Sequence, residues 1–160
     1  MPTPPAHRSA LVLSTITLAL LIGLAPTAGL AEEEAAESDI GWMDSPDKAL
    51  ETAKQSGRPI VAYVTSSNCR YCRKMERETW SKPAVARLVR QGWTPLRINA
   101  SRNPKIVKSL RVRAYPTTVL VASDGKAYAS ITGFKPAEDM QEVLASNQQP
   151  RPVAARPVSH

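Results

Sequence analysis

Both cysteines of the chain lie in one stretch, Ser66-Ser67-Asn68-Cys69-Arg70-Tyr71-Cys72-Arg73-Lys74-Met75, and no other feature restricts the fold so strongly. Upstream, Pro59 to Thr65 is a short apolar, β-branched and aromatic run of the kind that makes a buried strand. Downstream, Arg70 to Thr79 are strong helix formers without Gly or Pro, so Cys69 falls at a helix N-terminus. Unpaired N–H groups and the positive end of the helix dipole favour a thiolate there. Arg70, Arg73 and Lys74 add positive charge, so Cys69 is expected to have a depressed pKa and to be the attacking sulfur. Cys72, one turn on, faces the same way and lies deeper. Cys69 could then attack a disulfide to give a mixed disulfide, which Cys72 would resolve.

Two simpler readings compete. Zinc wants four ligands, and the chain adds only His7 and His160, both in terminal segments, so no Cys/His set closes. An inert structural disulfide over so short a loop would remove little entropy from the unfolded chain. A redox dithiol is the favoured reading.

At 160 residues and 42 % apolar content there is room for one globular domain with tails. His7 and Arg8 precede an apolar segment, Ala10 to Ala25, and Gly29-Leu30-Ala31 offers the small residues that a signal peptidase reads. Residues 1–31 are therefore expected to be a cleaved signal peptide, which places the protein in the periplasm or outside the cell. An uncleaved anchor fits less well, given the modest length, the Ser and Thr interruptions and Pro26. Export would put the dithiol where disulfides persist. Removing residues 1–31 takes away one Arg and no acid, so the charge falls from +7 to +6. The cations are spread along the chain with few aromatics and no nucleic-acid motif, which argues for a solvated basic surface and against a nucleic-acid partner, and leaves attraction to acidic partners or anionic lipid open.

After an acidic leader, 32–40, the domain is expected over 41–146, followed by a disordered basic tail, 147–160. Ile40 to Met43 reads as a short apolar anchor. Ser45 caps a helix that starts at Pro46 and ends at Gly57. The helix from Cys69 is expected to reach about Thr79, with Ser81 capping a second piece that carries Val85, Leu88 and Val89. Trp93 to Ala100 reads as a strand, Asn103-Pro104 as the start of a short helix, and Pro116 as the start of another strand. Ser123 to Lys126 is a turn, Ala127 to Thr132 a returning strand, and Met140, Val143 and Leu144 the apolar face of a last helix. The alternation of helix and strand points to an α/β sheet with parallel pairing.

This order, with Cys69-Arg70-Tyr71-Cys72 and Tyr115-Pro116-Thr117 at two signature positions, resembles the thioredoxin-like superfamily over about Gly41 to Ser146. Trp42, the Ala49 to Lys54 helix, Gly57-Arg58-Pro59 and Cys72 to Met75 look most similar to exported members related to the periplasmic C-terminal domain of the thiol:disulfide interchange protein. The resemblance implies a central mixed sheet of about four strands flanked by helices. It also implies a cis Pro116 packed against the dithiol. The backbone of Tyr115 would pair with an extended substrate segment, and Asn68, Arg70 and Tyr71 would help to bind it. Three positions depart from the family pattern: Asn68 replaces a common Trp, Arg70-Tyr71 matches none of the familiar intervening pairs, and Tyr63 stands where thioredoxin has a buried acid. Deprotonation of Cys72 would then need water or another side chain.

The expected activity is thiol:disulfide exchange with protein partners, with Cys69 and Cys72 catalytic, no cofactor, and an upstream redox partner that could be membrane-bound. The resemblance tilts the direction slightly toward reduction, and a monomer is expected. One alternative is a Cu(I)-handling module using Cys69 and Cys72 with Met75 as a soft third ligand. Another is a non-catalytic thioredoxin-fold module that binds a client.

Overall fold

The structure, a computed structural model, describes residues 38–148. The signal peptide expected over 1–31, residues 32–37 of the expected leader and residues 149–160 of the expected tail, and with them His7 and His160, lie outside the described residues.

Strand β1 (Ile60–Thr65) is buried at all six positions, which is why it reads as an unbroken apolar run rather than an alternation. It sits inside a four-stranded mixed sheet with β2 (Thr94–Asn99), β3 (Thr117–Val121) and β4 (Ala127–Thr132), in the order β2-β1-β3-β4. The β1–β2 pair is parallel, while β3 runs antiparallel to both β1 and β4. An isolated parallel bridge from Met43 to Leu96 ties the entering chain to the free edge of β2.

Helices cover both faces. Ile60, Ala62 and Val64 point into one core cluster with Ala49 and Ala53 of α1 (Pro46–Ser56) and Val107 of α4 (Pro104–Ser109). Val61 and Tyr63 point into the other cluster. There they meet Met75 at the end of α2 (Arg70–Met75), Val85 and Val89 of α3 (Pro83–Gly92), and Met140 and Leu144 of α5 (Ala137–Ser146). Ile40, at the boundary expected between leader and domain, is buried in this second cluster. Helix α1 begins and ends as its residues suggest: the Ser45 hydroxyl accepts from the Lys48 N–H, and Gly57 takes the left-handed conformation at φ +70°.

The helix after Cys69 differs from expectation. It is regular only to Met75, and Glu76–Trp80 then form a wider π-helical turn, with the Ser81 N–H bonded five residues back to the Glu76 carbonyl. This turn carries Thr79 and Trp80 into the core, where Trp80 packs against Tyr63 and Trp42. Ser81 does not cap α3. It belongs to the end of the π turn, so its hydroxyl donates back to the Arg77 carbonyl, and Lys82 holds the cap position without a side-chain bond. Strand β2 is one residue shorter at each end than expected. Trp93 is drawn into the core cluster beside α3 and α5, and Ala100 turns away after its N–H bonds the Thr65 carbonyl.

Candidate active site

Parallel β1 and β2 both end, and antiparallel β3 begins, at the same end of the sheet. The turn leaving β1 brings Cys69 there, with its N–H on the Ser66 carbonyl at 3.3 Å. Cys69 is the N-cap of α2: its backbone is extended, φ −92° and ψ 105°, and its Sγ accepts from the Cys72 N–H at 3.0 Å. A sulfur thus takes the place of the usual capping oxygen. Cys69 is half-buried and Cys72 is 1 % exposed; a disulfide joins them, with Cα atoms 5.2 Å apart. The side chain of Cys72 lies in the core cluster with Met75, which is fully enclosed and packs as a core residue. Among the described residues, no group of three or more His, Cys, Asp or Glu side chains could hold a metal ion.

Beneath the pair stands Tyr63, also 1 % exposed, whose hydroxyl donates to the Cys72 carbonyl at 3.0 Å. Burial first, and the Glu76 carboxylate second, push this hydroxyl well above its ordinary value, so Tyr63 is a neutral donor. It is both a packed core residue and a tether on the backbone of the inner cysteine.

The register of β1 against β3 sets Val64 opposite Thr117, so the residues just before Thr117 lie alongside the turn that delivers Cys69. The Tyr115–Pro116 peptide bond is cis. Pro116 is buried and its carbonyl accepts from the Gly133 N–H at 2.8 Å. The Tyr115 ring packs partly against both core clusters. Among the described residues its main-chain N–H and C=O make no hydrogen bond.

The rim comprises the exposed residues Asn68, Arg70 and Tyr71. Tyr71, 60 % exposed, is the one large exposed hydrophobic residue among the described residues. It lines a groove of ≈ 360 Å³ with Arg70, Lys74, Arg77 and Glu78. Lys74 pairs with Glu78 at 3.7 Å and places its ammonium 4.3 Å from the Phe134 ring centroid. Sequence reading brought together Asn68 to Cys72 with Tyr115 and Pro116, and the structure sets these two segments at one end of the sheet. It did not anticipate Phe134, or Trp42 and Trp80 packed at tilted angles around Tyr63. These contacts join residues remote in the chain, and nothing in local periodicity announces them.

A four-stranded mixed sheet between helical layers, with a Cys-x-x-Cys pair opening a helix at the end of its central strand, defines a thioredoxin-like domain. The chain belongs to the thioredoxin-like domain family, whose model matches residues 46–148. Among solved structures it is similar to the DsbH oxidoreductase, at 19 % identity and a TM-score of 0.56 over 66 % of this chain and 82 % of that one. A thioredoxin from Thermus thermophilus matches at 25 % identity and a TM-score of 0.58, over 66 % and 84 % of the two chains. The reduced DsbD C-terminal domain of Neisseria meningitidis matches at 23 % and 0.55, over 63 % and 92 %. The chain spans about a tenth of the length of the curated relatives that it matches, at 24–26 % identity.

Proposed function

We propose that the protein is a thiol:disulfide oxidoreductase of the exported compartment, which exchanges disulfides with protein partners, with reduction of the partner the slightly favoured direction. One observation carries this reading: a half-buried Cys69 sulfur sits on a helix-opening N–H, with Cys72 sealed directly behind it.

In the reduced protein the Cys69 thiolate attacks one sulfur of the partner's disulfide. That S–S bond breaks, a mixed disulfide forms, and the partner's other sulfur leaves as a thiolate that takes up a proton. Cys72 then loses its proton and attacks the Cys69 sulfur. This closes the intramolecular disulfide and releases the partner's second sulfur, which is protonated in turn. The partner gains two electrons and two protons, and this dithiol loses them. With no carboxylate at position 63 and Tyr63 occupied as a donor to the backbone, the Cys72 proton passes to water that enters with the partner or to another side chain. An upstream dithiol of a further protein restores the reduced state.

The main-chain groups of Tyr115 serve as the pairing edge for an extended partner segment, held over the pair by Pro116. Asn68, Arg70 and Tyr71 frame that segment. Export rests on the composition of residues 1–31.

The test is a Cys72→Ser variant expressed with its leader in a cell that exports it. Partners held covalently through Cys69, released by dithiothreitol and absent from a Cys69→Ser/Cys72→Ser control, are the expected result. No mixed disulfides from the exported compartment, with Cys69 still open to alkylation, would sink the proposal.

A further inference from the structure

Two stretches of chain that contain no carboxylate meet at the cysteine end of the sheet. One is the turn and helix start from Ser66 to Lys74, which carries Arg70, Arg73 and Lys74. The other runs from Ala100 to Pro116, leaving the C-terminal end of β2 and returning to the start of β3. It carries Arg102, Lys105, Lys108, Arg111 and Arg113. All of these except the half-buried Lys74 are exposed, and among the described residues only Lys74 of this set makes an ion pair. The rest of the described residues carry ten cations and ten carboxylates, with Arg97 facing Asp44, Lys126 facing Asp124 and Lys135 facing Asp139. The excess positive charge of the described residues thus lies in the two stretches that meet at the cysteine end of the sheet.

Arg111 sharpens the point. Its φ is +56°, the left-handed region, and it closes α4: the Val112 N–H bonds the Val107 carbonyl and the Arg111 N–H bonds the Lys108 carbonyl. Glycine is the residue that suits this helix-ending position. A cation stands there instead.

We propose that this end of the sheet is a docking surface for an acidic polypeptide segment next to the disulfide that the protein exchanges, a specificity that rests on the exchange reading above. A polypeptide is favoured over a lipid surface or a nucleic acid because the unpaired main chain of Tyr115 lies at the inner end of the cationic connection, beside the dithiol. Those groups are matched by an extended backbone. Tyr71, the single exposed large apolar side chain among the described residues, offers one anchor, which is too little for insertion into a bilayer. Unpaired charge about a reactive cleft raises the encounter rate with an oppositely charged partner and disfavours like-charged ones.

Two peptides, identical except for Asp/Glu or Lys at positions flanking a cysteine, test this as disulfide-linked substrates of the reduced protein. In cysteine-free fluorescent form they also serve as ligands of the oxidised protein. The acidic substrate is expected to react about tenfold faster at low ionic strength, and the advantage should vanish towards ~1 M salt. The acidic ligand should bind more tightly by a similar factor, and a folded Lys105→Glu/Arg113→Glu variant should lose most of that preference. Equal affinity for the two cysteine-free peptides overturns the docking surface whatever the exchange rates are. A binding preference without exchange of either substrate keeps the surface and removes the exchange reading instead. Tighter association with phosphatidylglycerol vesicles than with the acidic peptide, lost in the same variant, overturns the proposal in favour of a membrane.

Discussion

The hydroxyl of Tyr63 donates a 3.0 Å hydrogen bond to the main-chain carbonyl of Cys72, which ties the central strand to the buried member of the cysteine pair. Both groups are closed to solvent, so neither can replace the other with water.

Tyr63→Phe keeps the ring and its packing but leaves that carbonyl unpaired. The expected cost is about 1–3 kcal/mol, the penalty for an unsatisfied buried polar group. Urea denaturation of the oxidised protein measures it. Unchanged stability would mean that the carbonyl finds another donor.

The two raised tyrosines make an alkaline prediction. Tyr128, whose hydroxyl donates to the Asn147 carbonyl at 2.8 Å, is pushed up by burial from 10.0 to about 12. Tyr63 moves in the same direction. A proton held more tightly in the folded state stabilises that state fully below the unfolded value and ceases to do so as the pH rises through the folded one. The stability difference between wild type and Tyr128→Phe should therefore stay constant up to pH about 10 and shrink from there towards pH 12. Urea midpoints across this range decide it, and a constant difference would contradict the assignment.

Arg111→Gly should stabilise the fold by about 0.5–1 kcal/mol, because glycine reaches φ +56° without the clash that a Cβ incurs, less its own entropy cost. The same change should weaken binding of the acidic peptide. A thermal melt and a peptide titration read the two effects separately.

Trp42 meets Trp80 edge-on, with centroids 5.2 Å apart and planes at 85°. A double-mutant cycle with Trp42→Leu and Trp80→Leu should give a coupling energy of about 1 kcal/mol, beyond the sum of burial losses. Additive losses would show that the contact carries no specific energy. Trp80 alone, 3 % exposed, should be the costlier position to change.

Much of this protein is written in short stretches. The apolar run of β1, the Ser45-Pro46 start and Gly57 end of α1, the turn from Ser123 to Lys126, and a cysteine at the opening of a helix each follow from a few adjacent residues. Backbone preference, capping and burial act locally enough for those residues to specify them. Other features came only from the packed molecule. The π turn at Glu76–Trp80 brings Trp80 onto Tyr63 and Trp42, and no propensity in that segment announces it. Just past the end of α4, Arg111 takes the left-handed conformation while its N–H bonds the Lys108 carbonyl and the Val112 N–H bonds the Val107 carbonyl, a position where glycine is the usual residue. The basic mouth of the site is likewise invisible along the chain, since its cations come from two stretches separated by β2 and α3. They share one end of the sheet because β1 and β2 run parallel and β3 returns against them, and strand order is settled by which faces bury the most apolar surface rather than by any neighbouring pair of residues.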